Sequence, residues 1–145
     1  MPYCYVLSED GSPSIEKELG TSETAKLSGD SSGVAIDETG LSDVIANASA
    51  LVDGYCSKRY SVPFDDVPPV IKQITLSIAI YKLYENRKAG ASEAIRQRYD
   101  DAIDMLKDIN DGKLSLSTSE VSAAVSNRPV TAFQANERLF KRGFQ

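Results

Sequence analysis

Three stretches of this chain repeat the step pattern of a single buried helix face, and that spacing leaves few folds open. Between residues 41 and 60 the apolar residues are Leu41, Val44, Ile45, Ala48, Leu51, Val52 and Tyr55. Their steps of three, one, three, three, one and three keep all seven side chains on one side of an α-helix. The pattern resumes after Pro68-Pro69 through Val70, Ile71, Ile74, Ile78, Ala79, Leu83 and Tyr84, with Leu76 and Ile80 on a flank. A face of that width predicts the central helix of a bundle, contacted on more than one side. Proline is accepted only in a first turn, which marks the start of this helix, with Asp66 as a candidate cap. Asn86 to Gly90 reads as a turn. The third stretch puts Ile95, Tyr99, Ala102, Ile103, Leu106 and Ile109 on one face, between a capping Ser92 and a terminating Gly112. Its charges mostly point elsewhere, so it is expected to be an outer helix. At i,i+4 spacing, Arg96–Asp100 should attract and Asp104–Asp108 should repel.

The flanks are more polar. Ser12-Pro13 followed by residues 14–20 predicts a short helix capped by Ser12, with Pro13 in its first turn and Gly20 as its stop. A second short helix is expected from about Thr21 to Leu27, and a loop from Ser28 to Gly33. Pro63 favours extended geometry at Val62, so the linker 58–69 should form a strand-like strap, with Tyr60 and Phe64 closing the bundle end and Arg59 meeting an acid. Leu114-Ser115-Leu116-Ser117 alternates like a short strand. The fold class expected is therefore all-α: a bundle of three long helices with short N-terminal helices, residues 1–116, followed by an extended C-terminal arm, residues 117–145.

Several functions are excluded by what the chain lacks. It has no histidine in 145 residues, so no His-based triad, His general base or His metal ligand is available. No Gly-rich phosphate loop or nucleophile elbow is present. No apolar run reaches the roughly 18 residues needed to cross a membrane. Cys4 and Cys56 form neither a CxxC nor a disulfide framework and read as two reduced thiols. Asp30, Ser32, Gly33, Ile36 and Asp37 imitate a calcium loop, but the position that needs a bidentate glutamate falls on Thr39 or Gly40. No metal, no cofactor and no enzymatic activity are expected.

Charge divides the chain. Residues 1–66 carry 12 acids against 4 bases, and residues 67–145 carry 9 acids against 12 bases. The last eighteen residues hold Arg128, Arg138, Lys141 and Arg142 against Glu137 alone. Within them, Arg138, Leu139, Phe140, Lys141, Arg142 and Phe144 interleave aromatic anchors with cations, the residue types enriched where proteins bind each other. These six are the candidate partner-binding residues. The competing expectation is that this tail packs on the acidic N-terminal half of its own chain. A nucleic-acid-binding regulator is the alternative function class, but an isoelectric point near 4.8, with no helix carrying a basic, aromatic face, argues against it.

One family shares this order of features. Asp53-Gly54-Tyr55, Lys58-Arg59-Tyr60-Ser61-Val62-Pro63, Val67-Pro68-Pro69-Val70-Ile71-Lys72, Ala79-Ile80-Tyr81-Lys82-Leu83-Tyr84 and Arg98-Tyr99-Asp100-Asp101-Ala102 through Leu106-Lys107-Asp108-Ile109 to Gly112-Lys113 resemble the Mu-like phage head–tail connector, or head-completion, family. Asp37-Glu38 and Phe140-Lys141-Arg142-Gly143-Phe144 are similar too. The resemblance is firm over about residues 36–116, although many members have a more acidic loop near Asp30. It implies a small helical adaptor in the neck of a virion, assembled in the host cytoplasm as a ring, commonly of twelve copies. It further implies that the ring binds the portal protein above and a tail or stopper protein below, and that DNA passes through the lumen without sequence-specific contact.

Overall fold

A computed structural model describes residues 3–4, 14–28, 36–86 and 90–117. Among these residues five α-helices follow one another: α1 (Ile15–Leu19), α2 (Thr21–Ser28), α3 (Glu38–Cys56), α4 (Pro69–Asn86) and α5 (Glu93–Asp111). Among the described residues there is no β-strand, and the protein is all-α.

Three of the helices, α1, α3 and α5, begin where a side chain satisfies first-turn amides. Ser14, not Ser12, caps α1, its Oγ accepting from the Lys17 amide at 3.4 Å. Ser12 and Pro13, the cap and first-turn residue expected from the sequence, lie outside the described residues, and Ile15 at the start of the helix is fully buried. Gly20 ends α1 with φ at 82°. Asp37 caps α3, accepting from the amides of Thr39 at 3.1 Å and Gly40 at 3.3 Å. The Asp37 amide in turn donates to Ser28 Oγ, which ties the end of α2 to the start of α3. At α4 the cap position is Pro68, whose carbonyl accepts from the Lys72 amide, while Asp66 stays exposed. Ser92 caps α5 as expected. Gly112 closes α5 in the left-handed region, its amide bonded to the carbonyls of Asp108 and Ile109.

The periodic faces named by the spacing form the interior. Leu41, Ile45, Val52, Ile71, Ile74, Leu76, Ile78, Leu106 and Ile109 are buried in one cluster. α4 lies at its centre and touches the other four helices. Its two flanks make it so: Ile71, Ile74 and Ile78 are buried on one stripe, and Leu76 and Ile80 on another. α5 is the outer helix, burying only Ala102, Leu106 and Ile109, with Ile103 half-buried at the edge of its face.

The linker between α3 and α4 is built of turns and bends, with Tyr60 in an isolated bridge and the Val62–Pro63 bond cis. It is not a strand. Tyr60 and Phe64 do close the bundle end, their rings 6.1 Å apart. Residues 114–117 are not a strand either. The Lys113 and Leu114 amides both return to the Asp108 carbonyl, which turns the chain, so Leu114 faces solvent and Leu116 is buried.

Candidate docking groove and interior polar contacts

Several interior polar groups are matched to one another, which bears on the surfaces that remain for other molecules. Tyr3, 1% exposed, donates its hydroxyl to Asp53 and accepts the Phe64 amide at 3.1 Å, while its own amide donates to Ser49 Oγ at 3.2 Å. Burial and the Asp53 carboxylate raise the Tyr3 phenol well above its ordinary range. Tyr60 accepts the Leu116 amide at 2.9 Å. Thr24, Ser49 and Thr75 donate to carbonyls one turn earlier in their helices. The Arg59 guanidinium lies over Gly112, where a Cβ would fall 2.0 Å from Nη1. It thus sits at the C-terminal end of α5, where helix carbonyls carry partial negative charge.

The two thiols are free and enclosed. Burial pushes Cys4 up to about 12 and Cys56 up to about 11, the latter with help from the Asp53 charge, so both stay protonated at neutral pH. Protonated, enclosed thiols are poor nucleophiles and poor metal ligands. Among the described residues no group of three His, Cys, Asp or Glu side chains could hold a metal. Of the calcium-loop lookalike, Ile36 packs against the core and Asp37 is a helix cap. Asp30, Ser32 and Gly33 lie outside the described residues.

The surface of α5 carries its charges in pairs other than those the spacing suggested. Arg96 is 3.9 Å from Glu93 instead of pairing with Asp100. Asp104 and Asp108 do not face each other uncompensated, because Lys107 sits 2.8 Å from Asp104 and Lys113 sits 3.0 Å from Asp108. Those acids raise both lysines above their ordinary range. All these groups are largely exposed, so solvent screens the pairs and they add little to stability.

One concavity is apolar and open. It runs between α4 and α5, with Ile74 and Ala102 as its floor and Val70 and Met105 on its lips. Val70 is 44% exposed and Met105 is 46% exposed, unusual for large apolar residues in a bundle of this size. Asp101 lies on the rim, and Glu18 of α1 meets Arg98 of α5 at 3.5 Å at the far end. The spacing placed Val70 on the buried face of α4, but in the first turn of that helix it is left exposed at the edge of the groove. Met105 belongs to no periodic face, and an apolar residue on an otherwise charged stripe was the available signal. The six tail residues named from sequence, Arg138, Leu139, Phe140, Lys141, Arg142 and Phe144, lie outside the described residues, as does most of the arm.

Together these features define a small all-α domain whose buried hydroxyls serve its own packing and whose described surface carries an open apolar groove. The chain belongs to the Bacteriophage Mu, Gp36 family, whose model matches residues 12–134. It is 32% identical over 93 residues to the Mu-like prophage FluMu protein gp36 of Haemophilus influenzae, an alignment covering 64% of each chain. It is 27% identical over 107 residues to Gene product J of Escherichia phage Mu, covering 73% of this chain and 74% of that one. The protein is therefore of a phage-derived family.

Proposed function

We propose that this chain is a structural virion protein and not an enzyme: a head–tail connector subunit that assembles as a ring on the portal of a tailed phage and lets DNA pass. Membership of the Gp36 family is the observation that carries the reading. The ordered series of residues that resembles head-completion proteins is what implies the connector role, the neck location and the twelvefold ring. The physical character of the chain supports it. A rigid helical bundle with an arm rich in arginine and phenylalanine suits an adaptor, which must present fixed surfaces to two neighbours. In this reading Arg138, Leu139, Phe140, Lys141, Arg142 and Phe144 dock on the portal or on the next subunit of the ring.

Deletion of residues 136–145 tests the arm. The expected result is a melting temperature close to that of the full chain, with binding to the portal of the same phage abolished. Native mass spectrometry of the full chain with that portal should show a closed ring. A truncated protein that still forms rings and docks with full affinity would end the proposal.

A further inference from the structure

We infer that the groove between α4 and α5 is the seat of this chain's own C-terminal segment, residues 138–144, in the free subunit. The inference rests on reading that segment as a docking element, and names where it lies before a partner takes it. Three observations converge. The first is the groove itself: Val70 and Met105 hold their side chains out over the buried Ile74 and Ala102, leaving an apolar slot open to solvent. Phe140 and Phe144, one helical turn or two strand steps apart, are of a size to fill it.

The second observation is charge. α5, one wall of the groove, carries six acids against three bases, and Asp101 stands on the rim. Residues 128–145 carry four bases against one acid. An aromatic segment flanked by arginine matches an apolar slot with the Asp101 carboxylate on its rim, and the attraction will fall with salt.

The third is where the chain leaves the bundle. Leu116 is held beside Tyr60, at the end where α3 stops, α4 begins and α5 stops. Val70 lies in the first turn of α4, at that same end, and Met105 lies less than two turns before the end of α5. Twenty residues then separate Ser117 from Arg138, a length of chain sufficient to return the segment to the groove. A tether of that length holds its end near the groove at millimolar effective concentration, so the subunit's own segment outcompetes a second copy in dilute solution.

A disulfide trap on the full chain tests this. Gln73→Cys places an exposed thiol on the α4 wall, and Gly143→Cys places one in the tail between Arg142 and Phe144. The native thiols are buried and stay out of the reaction. With a mild oxidant at low protein concentration, the expected product is an internal disulfide in a monomer. It should form about tenfold faster than from Ser42→Cys with Gly143→Cys, whose partner is exposed on α3 away from the groove. Val70→Asp and Asp101→Lys, both at exposed sites, should each remove most of that preference without changing the melt, as should high salt for the parent. Disulfide-linked dimers in place of the monomer would assign the groove to a second copy and overturn the inference, and equal rates at Gln73 and Ser42 would overturn it as well. Portal binding by the same reduced variants is read separately, so a failure of the groove and a failure of the connector reading cannot be confused.

Discussion

The phenol of Tyr3 joins segments fifty residues apart, because its oxygen donates to Asp53 in α3 and accepts the amide of Phe64 in the linker. Tyr3→Phe keeps the ring packing against Phe64 but leaves a buried amide without its acceptor. A loss of about 1–3 kcal/mol is expected, read as a lower urea midpoint with an unchanged slope. Ile74, 2% exposed at the floor of the groove, sets a larger effect. Ile74→Asp buries an unpaired carboxylate at a cost of several kcal/mol and should unfold the domain, whose total margin is about 5–15 kcal/mol. Ile103→Asp should be milder, because Ile103 is only half-buried, and Asp104→Ala should leave the melt within ~0.5 kcal/mol of the parent. The thiols give a pH dependence with a definite sign. Both are raised above the ordinary 9, so their contribution is intact below pH 9 and is lost as pH climbs through about 11 to 12. Thermal melts should therefore fall steadily above pH 9, and alkylation of Cys4 and Cys56 at pH 8 should require unfolding.

At the scale of the helix, starts and stops are local chemistry. Asp37→Ala removes the acceptor for two amides of α3 and should cost about 1 kcal/mol, while Asp66→Ala, outside any cap, should cost nothing measurable. Gly112→Ala should cost about 1–2 kcal/mol, since a side chain is placed at φ 81° and against the Arg59 guanidinium. Circular dichroism melts of the three variants check these values. Local chemistry is also what made the bundle readable from sequence. The long helices announce themselves because their apolar steps match the helical period, and Ser92 and Gly112 bracket α5 with side-chain and backbone signals of short range. Ser14 was harder to pick out, since Ser12 stands directly before Pro13 and so carries the stronger local signal for a helix start. The linker and residues 114–117 carry proline and alternation, yet neither became a strand, because no neighbouring strand is present among the described residues to accept their ladder bonds. Tyr3 was invisible as an anchor, since nothing within its own neighbourhood in sequence names Asp53 or Phe64. The groove was half-legible: Met105 breaks the polar face of α5, but only the first-turn position of Val70 beside it makes a slot.

Taken whole, the molecule is organised around α4, which every other helix touches, so damage to its faces should be felt globally. Among the described residues no cluster of side chains could hold a metal, and EDTA should leave the melting temperature unchanged; a drop of several degrees would overturn this. The root of the C-terminal segment is fixed by Leu116, buried and bonded to Tyr60. Tyr60 packs on Phe64, Phe64 bonds to Tyr3, and Tyr3 bonds to Asp53 in the last turns of α3. A pull on the tail is thus delivered through this series of contacts into the linker and α3, and does not peel α5 away from its free end. Such an arrangement resists traction by sharing the load between elements, and the strength of the anchorage should be set by its outermost link. In single-molecule stretching from the C-terminus, Tyr60→Phe should lower the force of first rupture far more than it lowers the melting temperature.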